Sequence, residues 1–504
     1  MALPSRVRGS LLGGGLEVPQ ASVELAFAGA VEAAAAIRSR RVSSVELTHL
    51  TLARIGTYNA ALNAVVNVLT EDALAAARAA DEAIARGAAT GPLHGVPVLI
   101  KDAFEIRGVR TTAGAPPLKD YVPTEDSEAV ARLRTAGAVI LGNTNVPPML
   151  GDWQSDNPIY GRTNNPWDLG RTPGGSSGGS AAALAAGFAY LAMGSDIGGS
   201  IRVPAHFCGV YGLKPTLELV PQRGHIPPPP FQRPQPSTEL AVAGPMARTA
   251  PDLALALEVL GGPAAPEAIA YRWRLPAPRH YALRQYRVGY VLDDPRCPVG
   301  SDVKAVLARA VEALGRSGVR LERGWPPEVD PWAQYRTYYY LLMAAIGAPE
   351  DDEVKELPAR AAAGDDSLAM LRARALTDTH ARFREVQAQR LRAQEIWQGF
   401  FRDHDGFLMP TAFVPAFPHD GRPWNERRLR TPEGERAYEE LLFWISFATM
   451  TGLPAVTAPV GLTGEGLPVG IQIMGPYLED ATPIDLAARM GDVVGGFERP
   501  PAYA

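Results

Sequence analysis

The amino-acid sequence predicts an α/β protein, a β-sheet covered by helices, and three observations carry that reading. Apolar residues recur at helical spacing from Val23 to Ala88, short Val- and Ile-rich runs follow, and the two patterns then alternate along most of the chain. At 504 residues the chain is long enough for two or three domains unless one large α/β unit takes it all. Hydrophobic residues make up 46% and charged residues 20%, far from the composition of a disordered chain, so a large core is expected.

Taken in order, the stretch MALPSRVRGSLLGGGLEVPQ has basic residues but no apolar run of secretory-signal length, and Gly13 to Gly15 interrupt the sole candidate. A cytoplasmic protein is therefore expected. VELTHLTLARI and EDALAAARAADEAIAR predict two or three helices, with Ser43 or Ser44 as a cap. GVPVLIKDAF predicts a buried strand ending at Lys101. A helix (SEAVARLRTAG), a strand (AVILGNTN), a polar loop to Pro173 and a glycine-rich turn into the helix GGSAAALAAG continue the alternation. Residues 221–240, with PPPP, predict a stiff loop, after which structure resumes at Leu240. YRVGYVLDD reads as a strand and SDVKAVLARAVEALGRSG as a helix capped by Ser301. From about 330 to 404 the chain reads as helical, and Trp332, Tyr335, Tyr338, Tyr339 and Tyr340 read as core packing within it. Strand-like ISFATMTGLPAVTAPVGL and LPVGIQIMG close the sheet, before a last helix from Thr482 to Met490.

Charge and special residues exclude several functions. A net charge of -5 and a pI near 6.0 give no long-range attraction for phosphate backbones or anionic lipids, so neither nucleic acid nor membrane is an expected partner. No apolar segment reaches the roughly 18 residues that span a bilayer. Cys208 and Cys297 are too few for a disulfide framework or a cysteine zinc site and read as free thiols. No H-E-x-x-H or P-loop occurs, and neither a metal nor a cofactor is expected.

Two serine-glycine segments remain: TPGGSSGGSAAALAAG, containing Ser176 and Ser177, and GSDIGGSIRVPAHFCGVYGLKPT, containing Ser200. Glycine beside serine lets backbone N–H groups approach a ligand closely, as an oxyanion hole requires. Gly175 to Gly179 also fits the nucleophile elbow G-x-S-x-G with Ser177 at its centre, but the residues before it, Leu169 to Gly174, cannot form the required strand. Ser301 to Lys304 fits S-x-x-K beside Ser155-Asp156-Asn157, yet the chain has no K-T-G.

The block Gly174 to Thr216 resembles the signature of the amidase signature family, whose members hydrolyse amides with a serine–serine–lysine set. HGVPVLIKD from His94, TNVP from Thr144, NNPWD from Asn164, TGLPAVTAPVGL and LPVGIQIMG extend the resemblance over most of the chain, most weakly between about 260 and 400. It implies one large mixed β-sheet covered by α-helices on both sides. It also implies a single domain over 1–504: N-terminal helices to 90, a catalytic core from 91 to 260, a variable helical region from 261 to 404, and C-terminal strands and a helix from 405. By motif position it implies Lys101 as base, Ser176 as the bridging serine held by a cis peptide bond, and Ser200 as nucleophile. Ile197, Gly198 and Gly199, with Ser200, would supply the oxyanion N–H groups. Leu150, Trp153 and Ser177 would line the substrate site, while Asp196 and Arg202 would hold the loop from behind. The expected partner is a small-molecule amide, with a homodimer left open. Amidotransferase members of the family carry an acidic segment after the loop Asn and a basic, tyrosine-rich one after KPT; NVPPMLGDWQSDN and LELVPQRGHIPPPPF differ, which favours a free-standing enzyme.

The chemistry agrees with those residue types. A serine hydroxyl needs an adjacent base, and a lysine serves only when neutral. At an ordinary pKa of about 10.4, about one lysine in 2,500 is neutral at pH 7, so burial must lower it.

Overall fold

The computed structural model describes residues 24–230, 239–347, 351–363 and 367–503. The N-terminal stretch read for a secretory signal, and part of the proline-rich loop, lie outside these residues. Among the described residues no helix is long and apolar enough to cross a membrane.

Eleven strands form one mixed sheet. In chain order they are β1 (Val65–Val68), β2 (Pro97–Lys101), β3 (Val139–Thr144), β4 (Leu191–Asp196), β5 (Tyr211–Lys214), β6 (Val242–Ala247), β7 (Arg287–Tyr290), β8 (Arg320–Arg323), β9 (Gly406–Pro410), β10 (Ala455–Leu462) and β11 (Pro468–Met474). Across the sheet their order is β1-β3-β2-β4-β6-β5-β10-β11-β9-β7-β8. Strand β2 runs parallel to both β3 and β4, whereas β4 and β6, β5 and β10, and β10 and β11 pair antiparallel. Strands β2, β3, β4 and β6 are buried along their whole length, which is why β2 and β3 read as apolar runs without alternation. Side chains of successive strand residues point to opposite faces, so Val98 and Ile100 enter one hydrophobic layer and Leu99 the other. Helices pack on both layers, as expected for the fold class.

Local signals account for most helices. Ser43 caps Ser44–Leu62, its side chain accepting from the Glu46 N–H while Glu46 reaches back to the Ser43 N–H. The described part of the region from 330 to 404 is helical as expected, led by Pro331–Ile346 and His380–Phe400. Three expectations need correction. Strand β1 lies between the second and third helices, where a four-residue run is too short to register against Ala-rich flanks. Ser301 is not a cap: Gly300 holds the cap position and the Ser301 N–H donates to Glu433. ISFATMT is the end of the helix Leu442–Thr451, not a strand; every residue of that helix is buried, so it shows no amphipathic period.

The sheet positions the site by its register. Lys101 and Thr144 end β2 and β3 as cross-strand partners, and Asp196 ends the neighbouring parallel strand β4. Three parallel strands thus deliver polar residues at their carboxyl ends, where open α/β sheets bind ligands.

Candidate active site

Lys101 is wholly buried, and its Nζ donates to Ser176 Oγ at 2.7 Å and to Ser195 Oγ at 3.0 Å. Burial pushes its pKa down to about 7, against a smaller opposing pull from Asp196. A large share of this lysine is therefore neutral near pH 7. The Gly175–Ser176 peptide bond is cis. Position 175 must be glycine, because a Cβ there would meet the Asp152 carbonyl oxygen at 2.3 Å. The Ser177 N–H donates to the Ser200 carbonyl at 3.1 Å, tying the two serine-glycine segments together.

The loop after β4 carries Ser200 and is organised by the Asp196 carboxylate. That carboxylate accepts from the backbone N–H groups of Gly199 (3.0 Å), Ile201 (3.1 Å) and Arg202 (3.3 Å), and from the Arg202 guanidinium at 2.8 and 3.0 Å. Burial pushes the Asp196 pKa up, but Arg202 and these bonds bring it below its ordinary value. Arg202 also donates to the Ile445 carbonyl, Gln472 Oε1 and Thr449 Oγ1. A buried ion pair saturated in this way fixes a loop without leaving an uncompensated charge. Asp196 and Arg202, expected to hold the loop from behind, are buried, with Asp196 bonded to the loop backbone and Arg202 to Asp196.

Two other expectations change. The Gly199 N–H is directed at Asp196, so it is not open to a substrate oxygen. Among the described residues the N–H groups of Ile197, Gly198 and Ser200 have no hydrogen-bond partner. Ser177, expected at the substrate, is fully buried beneath the loop, where its hydroxyl donates to the Ser195 carbonyl at 3.4 Å.

Ser200, Ile197 and Gly198 open onto a cavity of about 540 Å³ that Leu150 and Trp153 also line. Its walls include residues the sequence did not single out, Trp424 and Tyr438 from the C-terminal region and Leu342 and Met343 from the helix Pro331–Ile346, together with Tyr339 of that helix, which the sequence reads as core packing. Trp153 and Trp424 stack at 4.8 Å between centroids, and Tyr438 stands edge-on to both. Trp153 is more than an apolar wall, since its Nε1 donates to the Gly198 carbonyl at 2.8 Å. Tyr338, read from the sequence as core packing, is buried and donates from its hydroxyl to the Ile197 carbonyl at 2.9 Å.

The histidines take no part in this arrangement. His94 pairs with the Ala80 carbonyl, His206 with Gly470 and Val414, and His404 with Glu322 and the Phe400 carbonyl. No described histidine is hydrogen-bonded to Ser176, Ser177 or Ser200, which removes the support a nucleophile elbow at Ser177 would need. Among the described residues no group of three or more His, Cys, Asp or Glu side chains is placed to hold a metal ion.

The amidase family profile matches residues 46–483. The indoleacetamide hydrolase of Bradyrhizobium diazoefficiens is 35% identical over 488 residues, covering 92% of this chain and 86% of its own. One subunit of the glutamyl-tRNA(Gln) amidotransferase of Anaeromyxobacter sp. (strain K) is 34% identical over 508 residues, covering 95% of this chain and 98% of its own. Among solved structures, a chain from a vestigial protein complex that reveals the evolutionary origins of an s-triazine catabolic enzyme superposes with a TM-score of 0.77. It is 29% identical, over 94% of this chain and 100% of that one.

Proposed function

The chain belongs to the amidase family and is an amidase acting on carbon–nitrogen bonds, and we propose that it works as a free-standing serine hydrolase, through an acyl-enzyme on Ser200, on amides with an aromatic or apolar acyl group. The observation that carries this reading is the buried Lys101–Ser176 hydrogen bond of 2.7 Å, in a segment tied directly to the Ser200 loop beneath the cavity. Neutral Lys101 accepts the Ser176 proton, Ser176 accepts the proton of Ser200, and Ser200 Oγ bonds to the amide carbon. The carbonyl oxygen becomes an oxyanion facing the unpaired N–H groups of the loop. Collapse breaks the C–N bond, the relay returns the proton to the leaving amine, and water then hydrolyses the acyl ester by the same route.

The acyl preference rests on Trp153, Trp424 and Tyr438, whose faces and edges suit a flat ring. That one relative is an indoleacetamide hydrolase supports the same choice. The test is a panel of arylacetamides, anilides, aliphatic amides and glutamine on the purified chain, with a serine-directed fluorophosphonate and intact-mass mapping alongside. Turnover of aromatic acyl amides and an adduct on Ser200 are expected. An adduct elsewhere, or glutamine turnover that needs an added partner protein, would overturn the reading.

A further inference from the structure

We infer that Tyr338, on the helix Pro331–Ile346, is a positioning residue for the oxyanion hole, aiming the Gly198 N–H through its hydrogen bond to the Ile197 carbonyl. The inference rests on the acyl-enzyme reading above. In a trans peptide the C=O and N–H point in opposite directions, and neither the 197–198, the 198–199 nor the 199–200 bond is cis. Fixing a carbonyl therefore fixes the N–H on the other side of the same plane.

Applied along the loop, this rule separates its donors. The 198–199 peptide is held at both ends, its carbonyl by Trp153 Nε1 at 2.8 Å and its N–H by Asp196 at 3.0 Å, so it presents nothing to the cavity. A φ of +85° at Gly199 permits that inward turn. The 199–200 peptide is held at its carbonyl by the Val203 N–H at 2.7 Å, which leaves the Ser200 N–H free. The 197–198 peptide is held at its carbonyl by Tyr338 at 2.9 Å, and the Gly198 N–H, in a residue that lines the cavity, has no acceptor among the described residues. Of the three loop donors unpaired among the described residues, those of Gly198 and Ser200 thus have different supports: a neighbouring backbone N–H for Ser200, and for Gly198 a phenol on a separate helix, 141 positions from the carbonyl it holds. Burial raises the Tyr338 pKa, so the phenol keeps the proton it donates.

The next residues of that helix, Tyr339, Leu342 and Met343, face the cavity. The element that touches the acyl group therefore also aims an oxyanion donor. An acyl group that fits the wall leaves the Gly198 N–H in place, while one that shifts the helix misaims it, so discrimination should fall on kcat more than on KM.

The test is Tyr338→Phe, which removes one oxygen and keeps the ring. An oxyanion donor is worth about 10²- to 10³-fold in rate, and misaiming one rather than deleting it should lower kcat about 10-fold. KM should stay within about twofold, binding of the carboxylic acid product should be unchanged, and an aryl trifluoromethyl ketone, which forms a hemiketal oxyanion on Ser200, should bind about 10-fold more weakly. Wild-type kcat and ketone affinity would overturn the inference, as would equal losses for ketone and product, which mark simple displacement of the wall. If the Phe variant does not fold, 3-fluorotyrosine placed at 338 keeps both shape and donor; near wild-type kcat with a retained preference for ketone over product is expected, and a loss confined to KM would count against the inference. Fluorophosphonate labelling of the wild type separates the two readings, because an adduct away from Ser200 defeats the acyl-enzyme whatever Tyr338 does.

Discussion

The two serine-glycine segments look nearly interchangeable in sequence, yet they solve opposite problems. Around Ser176 the polar groups are satisfied: Ser176 receives a hydrogen bond from Lys101, Ser177 bonds to Ser195, and Ser155 Oγ donates to the Gly174 carbonyl while accepting from the Gly178 N–H. Around Ser200 the carbonyls of Ile197, Gly198 and Gly199 are taken, while the N–H groups of Gly198 and Ser200 are left open beside the cavity. One segment spends its polar groups within the protein; the other leaves N–H donors unpaired beside the cavity. A glycine-serine run therefore says little until its hydrogen bonds are accounted for.

The contrast predicts a ranking of effects. Ser200→Ala should cost roughly 10⁴-fold or more in kcat/KM, since it removes the oxygen proposed to form the acyl bond. If Ser177→Ala cost as much while Ser200→Ala retained activity, the roles of the segments would be reversed. Lys101→Ala should cost about 10²- to 10⁴-fold, as loss of a general base does. In the wild type kcat/KM should rise with pH through about 7, because burial lowers the lysine pKa to that value and only the neutral amine accepts a proton. A pH profile that stays flat across neutrality, or a variant as active as the wild type, would remove lysine from the relay. Asp196→Asn should leave Arg202 buried and uncompensated, at a cost of about 3 to 5 kcal/mol in denaturant unfolding; a change under about 1 kcal/mol would show that the loop does not depend on this pair.

The residues legible in the sequence were those whose chemistry demands a particular type in a particular order. Lys101 ends a buried apolar run and the serines sit among glycines, so the segments stand out in the chain, but which lysine and which serines to pair comes from the resemblance to the family signature. Tyr338, Trp424 and Tyr438 could not be read this way. Each reaches the site from a distant segment, and an aromatic residue in an apolar stretch looks the same whether it packs a core or lines a cavity. The direction of the Gly199 N–H was also invisible, because it depends on a backbone turn and a carboxylate three residues away. In the fold, β2, β3, β10 and β11 are legible as apolar runs, whereas the four-residue β1 and the helix Leu442–Thr451 are not, the helix because burial on all sides erases the period that distinguishes helix from strand.

Arg202 has a consequence for how the protein is made. Its guanidinium joins Asp196 to Ile445, Thr449 and Gln472, partners that lie 243 to 270 positions further along the chain. During synthesis, which yields about 5 to 20 residues per second, the segment bearing Ser200 emerges well before those partners do. For that interval the arginine has its carboxylate but not its remaining acceptors, and the nascent loop lacks the anchors that fix it in the finished protein. The loop bearing Ser200 is therefore fixed only when the helix Leu442–Thr451 and the strands after it close over it, roughly twelve to fifty seconds after that loop is made at those rates.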